Sequence, residues 1–163
     1  PSVLYVCVHN AGRSQMAAAY TQHLSGGAIE VRSAGSEPAD RINPAVRDAM
    51  LEEGIDISAE EPKLLNTEAV QASDVVVTMG CGDTCPVYAG ARYEDWPLED
   101  PKGQDLPTVR RIVREAAADN YRFKSIVLGV ISTDAFRKRE GEGVGQDPRG
   151  GPGDKVPVKT ALN

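Results

Sequence analysis

Apolar and polar positions change period in a regular order along this chain. Val3 to Val6 is a short apolar run that stops at Cys7, as a strand buried on both faces does. A loop follows at once. From Arg13 the segment RSQMAAAYTQHL carries Met16, Tyr20 and Leu24 four apart among alanines, which predicts a helix whose apolar face covers a sheet and which ends at Gly26 and Gly27. A second strand is expected over Ala28 to Arg32, then a polar loop from Ser33 to Asp40 that contains Gly35 and Pro38. Asn43 is set to cap a helix with Pro44 at its first position, Val46, Ala49 and Met50 as apolar residues, and Gly54 just past its end. A short helix starting at Asn66 leads to a third buried strand within Asp74 to Met79, and a weaker fourth strand is expected near Arg92 to Trp96. The last clear helix runs over Leu106 to Ala118, with Val109, Ile112, Val113 and Ala116 at helical spacing. Lys124 to Ile131 is apolar and β-branched enough for a further strand or a helix end. Strands alternating with helices predict an α/β fold: a doubly wound, four-stranded parallel sheet.

Composition sharpens this picture. The 163 residues suit one contiguous core, so a single catalytic domain is expected over residues 1–140, with no internal repeat. Residues 141–163 hold six glycines and three prolines and read as a loop or tail. Charged residues at 26% and hydrophobic ones at 40% describe a globular chain rather than a disordered one. No apolar run approaches the roughly 20 residues that span a bilayer, and PSVLYVCVHN lacks the layout of a secretory signal, so a cytoplasmic protein without membrane partners is expected. With 24 acidic against 18 basic residues the net charge is -6, a field that repels a phosphate backbone, so nucleic acid is not an expected partner. Any anion site must be a local concentration of donors.

Chemistry concentrates at Cys7-Val8-His9-Asn10-Ala11-Gly12-Arg13-Ser14, between the first strand and the first helix. In a doubly wound sheet, ligands bind beyond the carboxyl end of a strand, where the amides of the next helix point with the positive end of its dipole. Arg13 and the helix end favour the thiolate of Cys7, making it a nucleophile near neutral pH. The guanidinium can grip two oxygens of a tetrahedral oxyanion and leave its central atom in front of the sulfur. Gly12 lets backbone approach the anion, Ser14 can donate a hydrogen bond to Cys7, and His9 tunes the loop rather than acting as a base. Two further cysteines, Cys81 and Cys85, lie in a loop after the third strand, which opens toward the same sheet edge. Three cysteines in a reducing compartment do not suggest a structural disulfide framework. A zinc site lacks ligands, since only His9 and His23 are available beside a C-x3-C pair, so no metal or other cofactor is expected.

VCVHNAGRSQMAAA resembles the phosphate-binding loop of the low-molecular-weight protein tyrosine phosphatase superfamily, and more closely its arsenate reductase branch. RSAGSEPADRINP, VVVTMGCGDTCP and RYEDWPLEDPKG match in the same order, over about residues 2 to 118. The GCG and the second cysteine followed by proline resemble the actinobacterial, thioredoxin-coupled enzymes. The resemblance implies the low-molecular-weight tyrosine phosphatase-like fold, and Asp100 in LEDPKG as a general acid, although Asp-Pro alone reads as a solvated turn. It also sets two outcomes against each other, phosphate-ester hydrolysis and arsenate reduction. Phosphatases of this type place aromatic residues after Asp-Pro, where this chain has Lys102 and Gly103. Reduction needs thiols that close disulfides in sequence, which Cys81 and Cys85 supply.

The implied activity is therefore arsenate reduction. Cys7 attacks arsenate held by Arg13 and the amides of the loop, Asp100 protonates the departing oxygen, Cys81 attacks the Cys7 sulfur to release arsenite, and Cys85 resolves that disulfide for thioredoxin. The alternatives are a low-molecular-weight protein tyrosine phosphatase, and an arsenate–mycothiol transferase that uses Cys7 alone and depends on a mycoredoxin. Ala17, Ala18 and Ala19 stand where some relatives carry a potassium-site glutamate, while Asn10 and Ser33 match other members of that network.

Overall fold

A computed structural model describes residues 1–81, 86–89 and 91–118. The elements follow in the order β1 (Ser2–Cys7), α1 (Arg13–Ser25), β2 (Glu30–Gly35), α2 (Pro44–Glu52), α3 (Thr67–Gln71), β3 (Val75–Thr78), β4 (Arg92–Asp95) and α4 (Leu106–Ala118). All four strands are parallel, in the order β2-β1-β3-β4. The predicted doubly wound sheet is therefore present. Chain order reverses at β1, with β2 on one side and β3 on the other, so the crevice beyond the carboxyl end of β1 lies at the switch point where such sheets bind ligands.

Side-chain alternation on β1 separates two layers. Val3, Tyr5 and Cys7 pack with Val75, Val77, Met79 and with Ala17 of α1; Leu4 and Val6 pack with Ala34, Val76 and with Val70 of α3. Tyr5, fully buried, donates to Thr21 Oγ1 on α1 at 2.7 Å, because that hydroxyl spends its own hydrogen on Ala17 O at 2.9 Å. Burial pushes the Tyr5 phenol well above its ordinary range, with desolvation outweighing the hydrogen bond it shares with Thr21. A third cluster lies between helices: Met16 and Tyr20 of α1, Val46 and Met50 of α2, and Val109, Ile112 and Val113 of α4.

Two sequence expectations need correction. The Met16, Tyr20, Leu24 stripe does not cover the sheet. Ala17 and Thr21 do that, Met16 and Tyr20 face α2 and α4, and Leu24 remains 43% exposed. Strand β2 starts later than expected and runs on through Ser33, Ala34 and Gly35, which pair with Tyr5, Val6 and Cys7. A strand lying at the sheet edge needs no continuous apolar run to pair, and at Gly35 only glycine fits, since a Cβ there would meet Val8 O at 2.5 Å. The segment Lys124 to Ile131 and the tail from 141 lie outside the described residues.

Candidate active site

β1 ends at Cys7 and α1 begins at Arg13, so the six-residue spacing becomes a loop that turns back over the strand end. Its carbonyls are fastened outward. Val8 O accepts from Glu37 N at 2.9 Å, His9 O from Ala39 N at 2.9 Å and Ala11 O from Asn43 N at 2.9 Å. Carbonyls tied to one side leave the amides of the loop for the other, the arrangement of an anion-binding nest. Gly12 stands before α1 with no side-chain cap, so the first amides of that helix also remain available to a ligand.

Asn10 organises this turn. It is fully buried and is the one non-glycine among the described residues with positive φ, at 47°. Its Oδ1 accepts from Gln15 Nε2 at 3.1 Å and from Lys63 N at 2.8 Å, its Nδ2 donates to Ser14 Oγ at 2.7 Å, and its backbone N–H points at Cys7 Sγ at 3.2 Å. Because Ser14 Oγ accepts from Asn10, its own hydrogen is free for Cys7 Sγ, 3.0 Å away. Cys7 is a free, buried thiol with two donors aimed at its sulfur. The expected Ser14 contact is thus present, and Asn10 has a larger part than sequence reading assigned to it.

Arg13 is buried and holds two loops at once. Nη1 donates to Met79 O at 2.8 Å and Gly80 O at 3.3 Å, at the end of β3, and Nη2 donates to Asp100 Oδ2 at 2.7 Å. Asp100 Oδ1 accepts from Lys102 N at 3.0 Å, which fixes the carboxylate in a tight turn. The following Pro101 packs against Gly12, where a Cβ would come within 2.7 Å of its Cγ, so Gly12 makes room for the facing loop. Cys7, Arg13 and Asp100 line one pocket of about 130 Å³, with His9, Ala11, Gly12, Asn43, Pro101 and Lys102 around it.

Cys81 is not in that pocket. It is buried with Leu4, Val6 and Val76 on the sheet face opposite to Cys7, its sulfur 4.0 Å from Val6 O. The expectation that its loop opens beyond the same strand ends holds for the backbone, since Met79 N donates to Val6 O at 2.9 Å, yet the side chain enters the other layer: alternation alone would keep Cys81 with Val77 and Met79 on the Cys7 face, and the backbone turns at Gly80, φ 69°, just before it. Cys81 is disulfide-bonded, and Cys85 lies outside the described residues.

A thiol and an arginine on a strand–loop–helix turn, at the switch point of a parallel sheet and facing an Asp-Pro loop, define the class: α/β proteins with a cysteine-and-arginine loop beyond the first strand. The family model for low molecular weight phosphotyrosine protein phosphatase matches residues 2–119, and the chain belongs to that family. A putative arsenate reductase of Halobacterium salinarum is 36% identical over 113 residues, 66% of this chain and 80% of that protein. A glutaredoxin arsenate reductase of Synechocystis is 38% identical over 113 residues, 68% of this chain and 86% of that one. The structure of a thioredoxin-dependent arsenate reductase from Corynebacterium glutamicum superposes with a TM-score of 0.66 at 45% identity, over 80% of this chain but 61% of its own.

Proposed function

We propose that this protein is an arsenate reductase that takes its electrons from thioredoxin. One observation carries the reading: a free Cys7 sits in a donor-lined anion loop while Cys81 is disulfide-bonded in the same chain. That combination is the state that the proposed cycle reaches just before thioredoxin acts. The relatives with arsenate reductase names support the substrate, and the Corynebacterium glutamicum enzyme supports thioredoxin as donor.

In this cycle arsenate displaces Asp100 from the Arg13 fork and lies with arsenic in line with Cys7 Sγ. Asp100, released from Arg13, faces the leaving oxygen as the general acid. Cys7 attacks, an As–O bond breaks, the oxygen leaves as water with the Asp100 proton, and a thio-arsenate adduct forms. Cys81 thiolate then attacks Cys7 Sγ. The electron pair of the S–As bond passes to arsenic, arsenite departs, and a Cys7–Cys81 disulfide remains. Cys85 attacks Cys81 and frees Cys7, and a thioredoxin dithiol reduces the resulting Cys81–Cys85 disulfide. The burial of Cys81 on the opposite layer means that its segment must move before it attacks. Gly80, at φ 69° between the Arg13 contact and Cys81, is the joint suited to that movement.

The test is arsenate-dependent NADPH oxidation with thioredoxin and thioredoxin reductase. Cys7→Ser and Cys81→Ser should lose all turnover, and Cys85→Ser should release one equivalent of arsenite and stop. If the double variant Cys81→Ser, Cys85→Ser hydrolyses an aryl phosphate at the wild-type rate and the wild type reduces no arsenate, the protein is a phosphatase. If Cys7 alone sustains reduction with a small thiol and its redoxin, the transferase reading replaces this one.

A further inference from the structure

The rim of the pocket carries a contact that the cycle above does not use. His9 Nδ1 lies 3.1 Å from Glu37 O, a carbonyl that only accepts, so the ring hydrogen sits on Nδ1 and Nε2 is a bare acceptor. Lys102 Nζ lies 2.7 Å from that Nε2 and therefore donates to it. His9 belongs to the anion loop and Lys102 to the Asp100 loop, 93 positions away, and both line the pocket. The two loops are thus joined directly through Arg13 and Asp100 at 2.7 Å and through this clasp, while Asn43 Nδ2, at the start of α2, adds a bond to Pro101 O at 3.4 Å. Only the clasp brings an exposed positive charge to the mouth.

We propose that Lys102, held across the mouth by His9, is the specificity-determining residue that makes this site accept a free inorganic oxyanion and refuse a phosphate or arsenate ester. The inference rests on the reading of the Cys7 loop as an oxyanion site. A free tetrahedral dianion presents oxygen on every side, so its outward oxygens meet the ammonium of Lys102 once its inner ones are held at Arg13. An ester presents carbon there. It loses that attraction, and its organic group must push the clasp aside to leave a pocket of about 130 Å³. His9 acts through Lys102: with the imidazole in place the long lysine side chain is held at the mouth instead of ranging through solvent.

The experiment reads protection of Cys7 from iodoacetamide, mapped by peptide mass spectrometry, with inorganic phosphate and phenyl phosphate as the two probes. Wild type should be protected at lower concentration by phosphate than by phenyl phosphate. Lys102→Met and His9→Ala should each raise the protecting concentration of phosphate roughly two- to fivefold, the range of an exposed charge contact, and lower that of phenyl phosphate. Combining them should add little to either change, and His9→Gln, which keeps an acceptor for Lys102, should restore part of the preference. A merely structural role would weaken protection by both probes together. Equal shifts for the two probes, or effects of His9→Ala and Lys102→Met that add independently, overturn the proposal. If wild type reduces no arsenate yet shows the crossed shift, the reductase reading falls and the clasp stands.

Discussion

Asn10 shows how much of this site depends on a single side chain. Three of its polar groups reach Cys7, Ser14, Gln15 and Lys63, and its backbone is held at positive φ, which asparagine tolerates better than most residues. Asn10→Ala keeps the strained φ, leaves the Lys63 N–H without its acceptor and leaves the Gln15 amide with Glu61 O alone, so it should destabilise the protein by about 2–4 kcal/mol in urea unfolding. Cys7 alkylation should slow by about tenfold with it, since Ser14 is no longer oriented. Asn10→Gly separates the causes: if it regains most of the stability, backbone strain rather than the lost acceptor was decisive. At this scale the sequence was partly legible. Cys7, Arg13 and Ser14 announce themselves by type and spacing, whereas the importance of Asn10 comes from Lys63, 53 positions away. The clasp of His9 and Lys102 spans a still longer stretch of chain, and no local pattern reports it.

Helices α2 and α4 show what spacing can and cannot tell about elements. Their bounds follow closely from local chemistry: Asn43 Oδ1 accepts from Ala45 N at 3.0 Å before Pro44 opens α2, and α4 covers its predicted residues. Their pairing does not follow from either segment. Glu52 on α2 and Arg110 on α4 form a two-pronged ion pair at 2.7 to 3.0 Å. Hydrogen bonding by Arg110 holds the Glu52 carboxyl below its ordinary value. A carboxyl with lowered proton affinity in the folded state contributes stability above its unfolded value and loses it as pH falls through the folded one. Glu52→Gln should therefore lower the urea midpoint at pH 7, with a gap from wild type that closes as the pH falls below the ordinary glutamate range. A gap that stays constant over that range would remove the linkage. The pair is exposed, so the gap should be small. The α1 stripe misled for a related reason: a helix between a sheet and two other helices has two buried sides, and the period of apolar residues does not say which neighbour each one meets.

For the whole molecule, the arrangement of thiols is the decisive feature. The chain has three cysteines; Cys7 is free and Cys81 is disulfide-bonded, on opposite layers of the sheet. Thiol titration of the native oxidised protein should return one reactive cysteine, mapped to Cys7, and three after reduction with dithiothreitol. Recovery of Cys81 as the reactive residue in the oxidised protein would contradict the electron path proposed here. The acidic net charge of -6 makes the anion site depend on donors within reach: Arg13, the loop amides and the Lys102 clasp. Reduction of arsenate should accordingly weaken with added salt less than a site that draws on a basic surface would.

The sequence by itself determined the strand–loop–helix unit that carries Cys7 and Arg13, the α/β class and the limits of most helices, because each depends on residues within one or two turns of one another. Tertiary structure alone decided that β2 would extend to Gly35, that Cys81 would pack on the layer away from Cys7, and that Arg13 would bridge the end of β3 to Asp100. Those outcomes depend on which strand lies beside which and on the turn that the backbone takes at Gly80 past the end of β3. Both are set by closing chain segments tens of residues long onto one core, and such closure leaves no periodic trace in the segments it joins.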